Sequence, residues 1–172
     1  MAKIASIVTN YVEDIELSSP KVALEQAGHT VDIIENTANK IIKGKNGTEF
    51  KVDQGIDDTK IADYDALLIP GGFSPDQLRA DKRYVDLVKD FIKSDKPIFA
   101  ICHGPQLFIQ TGLTSDLKLT AYTTVRPDLA YAGAKVSDEP VVVDEKYKII
   151  TSRTPDDLPA FNTTIIAELQ TK

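Results

Sequence analysis

Cysteine and histidine are scarce in this chain: one cysteine, Cys102, and two histidines, His29 and His103, among 172 residues. A lone cysteine closes no disulfide within the chain, and zinc sites of the Cys₂ or Cys₄ kind need more thiolates than one chain supplies. Three such residues, one of them distant in sequence, form no recognisable metal-ligand set, so neither metal nor other cofactor is expected. No apolar run approaches the roughly 20 residues that span a bilayer. The opening MAKIASIVTN lacks the basic-then-apolar layout of a secretory leader. Positive charge is also in deficit: 20 Lys and Arg stand against 26 Asp and Glu, a formal net charge of −6. That balance disfavours nucleic acid and anionic lipid as partners. Together these absences predict a cytoplasmic protein in a reducing compartment.

What is present suits one folded domain over residues 1–172, with 42% hydrophobic and 27% charged residues. Lys3–Thr9 (KIASIVT) is a short β-branched run and predicts a buried strand. Ser18-Ser19-Pro20 has the form of a helix start, and Gly28 would end that helix. Thr30–Glu35 predicts a second strand, and strand–helix–strand at the start implies a parallel sheet. Asn46-Gly47 between two β-rich runs signals a small antiparallel hairpin. DALLIP (65–70) and PIFAIC (97–102) predict two more buried strands. Helical spacing of apolar residues predicts a helix over Lys82–Lys93 and a closing helix over Asp156–Gln170. A short strand is expected at Leu119–Tyr122, a short helix opening at Pro127-Asp128, and a hairpin from Val141–Asp144 and Lys148–Ser152. The pattern is α/β, with a mostly parallel, doubly wound sheet.

Ligands in such sheets bind beyond the carboxyl ends of the strands. Three features fall there: Asn10–Glu16, Gly71-Gly72, and Cys102-His103-Gly104. In AICHG, small residues lie two before and two after the cysteine, the spacing of a strand–turn–helix nucleophile elbow. A helix N-terminus there would favour a thiolate. A buried, inert cysteine is the alternative, and the elbow spacing argues against it. His103 is a candidate base. Gly71-Gly72 is either an ordinary turn or a place where backbone N–H groups face an oxyanion. YVEDIEL carries Glu13, Asp14 and Glu16, one of which, at the mouth of the site, would tune the thiol; the residues alone do not say which. His29, beside Gly28, reads as a turn residue.

PGG, AICHGPQ, TSRTPDDLPAFN and VEDIEL, spread from Glu13 to Phe161, resemble the intracellular protease I (PfpI) branch of the ThiJ/PfpI family. The resemblance implies a flavodoxin-like sandwich related to class I glutamine amidotransferase domains. It implies Cys102 as nucleophile, His103 as its partner, Glu13 as the acid on the thiol, and Gly71 and Gly72 as oxyanion donors. Tyr122 matches a tyrosine near the site. Asp76 matches a glutamate that a neighbouring subunit supplies in some members, which implies a homo-oligomer with residues 72–79 near the contact. The implied activities are peptide or amide hydrolysis, or cofactor-free conversion of α-oxoaldehydes and glycation adducts, in a stress-related setting. The alternative is a chaperone-like stress protein in which Cys102 senses oxidation without turnover.

Overall fold

A computed structural model describes residues 1–171. In chain order it contains β1 (Lys3–Ile7), α1 (Asp14–Gln26), β2 (Thr30–Glu35), β3 (Ile41–Lys43), β4 (Glu49–Lys51), β5 (Gln54–Gly55), β6 (Ala66–Ile69), α2 (Ser74–Leu78) and α3 (Lys82–Lys93). There follow β7 (Ile98–Ile101), α4 (Gln106–Thr111), β8 (Lys118–Leu119), α5 (Val125–Tyr131), β9 (Lys135–Val136), β10 (Val142–Asp144), β11 (Ile149–Ser152) and α6 (Leu158–Gln170). The central sheet has seven strands in the order β10-β11-β7-β6-β1-β2-β5. All its pairings are parallel except β10 with β11. Strand order reverses direction at β1, so the carboxyl ends of β1, β6 and β7 open onto a common crevice.

Strand side chains alternate between faces, and here both faces are buried. Ala5, Ile7, Leu67, Ile69, Ile98 and Ala100 join the cluster that α3, α4 and α5 cover. Ile4, Ala66, Leu68, Phe99 and Ile101 join the cluster beneath Leu24 of α1 and Phe161, Ile165 and Leu169 of α6. In α3, Tyr84, Leu87, Val88, Phe91 and Ile92 are buried, the i, i+3, i+4, i+7, i+8 stripe of an amphipathic helix. Asp81 caps that helix by accepting the Arg83 N–H at 3.0 Å. Truncating a buried ring such as Phe91 to alanine would cost about 3–5 kcal/mol.

Several boundaries differ from the expectation. Helix α1 begins at Asp14, not near Ser18, and holds Pro20 inside it. Proline forfeits one backbone bond to the carbonyl four residues earlier; burial of Leu17, Pro20 and Leu24 along the helix offsets that loss. Strand β8 stops at Leu119, and α2, β5 and β9 are too short to announce themselves by periodicity. The hairpin β3–β4 forms as predicted, with Ile41 opposite Lys51 and Lys43 opposite Glu49. Ile42 and Val52 pack with Val8, Val12 and Leu17, which brings the hairpin to the same end of the sheet as Cys102. No helix among the described residues is long and apolar enough to cross a membrane.

Candidate active site

Cys102 follows β7 directly and adopts φ 62°, a left-handed conformation that is strained for a non-glycine residue. Its N–H donates to Ser152 O at 3.0 Å and its carbonyl accepts the Tyr122 N–H at 2.9 Å, so neighbouring backbone holds the strained turn. A Cβ at Gly104 would stand 2.4 Å from Ile69 O and 2.9 Å from Ile101 O. The glycine two residues after the cysteine is therefore a steric requirement of the elbow. Helix α4 begins at Gln106. The N–H groups that favour the thiolate are those of His103 and Gly72.

The side chain of Cys102 is 7% exposed. Its Sγ lies 3.1 Å from His103 Nδ1, so the adjacent histidine faces the sulfur. The imidazole stacks on Tyr122 with centroids 4.7 Å apart. Burial and the Lys45 charge lower the His103 pKa, while Asp76 raises it. The ring is thus neutral at neutral pH, and Asp76 of the same chain already exerts its field there.

The acid on the thiol is Glu16 and not Glu13. Fully buried, Glu16 accepts the Gly71 N–H through Oε1 at 3.0 Å, which sets its carboxyl beside Cys102, while Oε2 is buried with no hydrogen-bond partner among the described residues. Glu13 instead pairs with Lys45 Nζ at 2.5 Å and accepts from Asn46 Nδ2 at 3.2 Å. The reason is helical: Glu13 is the residue that precedes α1, whereas Glu16 sits in its first turn and points inward. Gly71 likewise does not present its N–H to an oxyanion. Its N–H is taken by Glu16, and a Cβ there would lie 2.5 Å from Glu16 Oε1 and 2.9 Å from Cys102 Cβ. Gly71 is a cradle for the acid; Gly72 keeps its N–H toward the sulfur.

Burial pushes the Glu16 carboxyl up to about 8. Burial, and then the charge of an ionised Glu16, push the Cys102 thiol up as well. The two groups are coupled. Below about pH 8 Glu16 retains its proton, so it carries no charge to repel the sulfur. In that state the His103 and Gly72 N–H groups favour the thiolate against burial.

Lys45, on the β3–β4 loop, is a site residue that sequence reasoning passed over. The Asn-Gly signal marks the turn and carries no chemical hint of what its neighbour reaches. His29 lies elsewhere, its Nδ1 accepting the Ala2 N–H at 3.0 Å. No cluster of three or more His, Cys, Asp or Glu side chains suited to a metal occurs among the described residues.

Residues 2–168 match the DJ-1/PfpI family. General stress protein 18 of Bacillus subtilis (strain 168) is 52% identical over 169 residues, covering 98% of each chain. An uncharacterized protein of Staphylococcus haemolyticus is 55% identical over 170 residues, again covering 98% of each. Among solved structures, a two-domain protein of Anabaena variabilis with DJ-1/ThiJ/PfpI-like and ferritin-like domains superimposes with a TM-score of 0.94 at 34% identity. That superposition covers 99% of this chain and 48% of the other, so the chain spans about half of the two-domain protein. Schizosaccharomyces pombe DJ-1 superimposes with a TM-score of 0.86 at 26% identity, covering 96% of this chain and 90% of that one.

Proposed function

The chain belongs to the DJ-1/PfpI family, and from that premise we propose that it is a cysteine-dependent enzyme converting small α-oxoaldehydes to hydroxy acids without a cofactor. The observation that carries this reading is the sulfur's double partnership. Cys102 lies 3.1 Å from a neutral imidazole and beside a buried carboxyl whose pKa of about 8 suits it to give and take protons near neutrality. At 7% exposure, the sulfur is better matched to a small carbonyl carbon than to an extended polypeptide.

In this mechanism the Cys102 thiolate adds to the aldehyde carbon, C1, forming a C–S bond. The carbonyl oxygen takes the Glu16 proton, beside the N–H groups of Gly72 and His103. The Glu16 carboxylate then removes the C1 proton and returns it to the neighbouring carbon, C2. His103 carries the hydroxyl proton from the C1 oxygen to the C2 oxygen. The product is a thioester of a 2-hydroxy acid. Water cleaves it, restoring the thiolate and the protonated Glu16 and releasing the product as a 2-hydroxycarboxylate and one proton. No external oxidant or reductant is consumed. Asp76 is a positioning residue that biases the His103 charge. Disposal of a reactive carbonyl accords with the name of the Bacillus subtilis relative and gives this chain a stress-related role.

We also read the chain as a homo-oligomer. Phe73 at 68% and Tyr11 at 61% exposure flank the crevice and are bonded to one another through the Phe73 N–H and Tyr11 O at 2.9 Å. Exposed aromatics side by side suit the centre of an interface.

Methylglyoxal consumption with lactate formation tests the enzymatic reading. Cys102→Ser should abolish it. Turnover that persists in that variant, or no turnover by the native protein, rejects the reading.

A further inference from the structure

The β3–β4 loop is fastened over the crevice with more bonds than a turn requires. The Asp14 carboxylate accepts the N–H groups of Asn46 and Thr48, each at 2.9 Å. The Lys45 N–H donates to Val12 O at 2.9 Å, and the Tyr11 N–H donates to Lys43 O at 2.8 Å. Val12 in turn bridges Gly72, whose N–H faces the sulfur. The backbone of Lys45 is thereby pinned two short steps from Cys102.

Its side chain is not needed for that anchoring. The ammonium is 41% exposed and meets Glu13, itself 16% exposed, at 2.5 Å. A half-exposed ion pair contributes little to stability. The acids Glu13 and Asp76 bring negative potential to the crevice, in a chain whose net charge is −6. Lys45 supplies positive charge at the same place, felt at Cys102, Glu16 and His103.

We propose that Lys45 is the substrate-selecting residue of this site, its ammonium leaving Glu13 to receive an anionic group, a carboxylate within a few bonds of the reactive carbonyl carbon. The inference rests on Cys102 as the nucleophile and ranks anionic carbonyl compounds above neutral ones such as methylglyoxal. Glu13 acts as the internal stand-in for that anion. It keeps the ammonium compensated until substrate arrives.

Two alkylating reagents of nearly equal size test this at the sulfur itself. Iodoacetate carries a carboxylate beside its reactive carbon; iodoacetamide carries a neutral amide. The ratio of their rate constants at Cys102 cancels any change in thiol acidity. In the native protein the iodoacetate/iodoacetamide ratio should exceed that of a free small thiol by about tenfold, the size expected for one charge-assisted contact. Lys45→Gln should bring the ratio down to the free-thiol value, Lys45→Arg should largely keep it, and Glu13→Gln should raise it. A ratio unchanged by Lys45→Gln overturns the proposal, as does a native protein that reacts with neither reagent. Failure of the enzymatic reading would show separately, as absent turnover with the alkylation preference intact.

Discussion

Glu16 Oε1 accepts the Gly71 N–H at 3.0 Å, and this bond fixes a buried carboxyl against the Cys102 thiol. The acid comes from the first turn of α1 and the N–H from the end of β6, 55 residues apart in sequence. One oxygen is held by backbone; the other, Oε2, is buried with no hydrogen-bond partner among the described residues and is the place for a proton beside the sulfur. The chemistry of the site depends on which of the two groups owns that proton.

The thiol titration reports that ownership. Followed by iodoacetamide alkylation, Cys102 should show a midpoint below the roughly 8.5 of a free cysteine, because a protonated Glu16 donates to the thiolate. Glu16→Gln, a weaker donor, should move the midpoint upward. A native midpoint above the free value that falls in Glu16→Gln would show instead that Glu16 is ionised and repels the sulfur.

Stability should carry the same signature. The Glu16 pKa rises from 4.5 to about 8 on folding, so the native state binds the proton more tightly than the unfolded chain. The corresponding stabilisation is complete below pH 4.5 and disappears as pH rises through 8. It amounts to about 5 kcal/mol. Denaturant midpoints measured from pH 5 to pH 9 should fall across this window in the native protein and stay flatter in Glu16→Gln. Glu13→Gln should leave the native slope in place. Equal slopes in the native protein and Glu16→Gln would remove the buried carboxyl as its source.

Gly71→Ala should damage the site more than the fold. Its methyl would lie 2.5 Å from Glu16 Oε1 and must displace the carboxyl. Overpacking of this kind costs about 1–3 kcal/mol. Alkylation of Cys102 should slow by at least about tenfold, a 1.4 kcal/mol change in barrier, while circular dichroism stays native. Unchanged alkylation would show that the Glu16 position is unimportant to the thiol.

Assembly is read from Phe73 and Tyr11. Light scattering should give a mass of at least two chains at micromolar concentration, and Phe73→Asp should shift it toward one chain. A monomeric native protein would reject the interface.

The sequence by itself determined the layered α/β order, because β-branched runs and a helical apolar stripe such as that of Tyr84 to Ile92 are local signals with a fixed period. It also determined the elbow, since small residues at Ala100 and Gly104 are a local steric demand. The long-range partners were another matter. Three acids within four residues look alike on paper; only the start of α1 at Asp14 turns Glu16 inward and leaves Glu13 at the rim. That His103 faces the sulfur depends on the φ of Cys102 and the stack on Tyr122. Lys45 joins the site because Asp14 ties down a hairpin loop more than 30 residues away. Periodicity and turn chemistry are written in neighbouring residues, whereas the direction of a buried carboxyl or a tethered ammonium is set by backbone groups that only folding brings near.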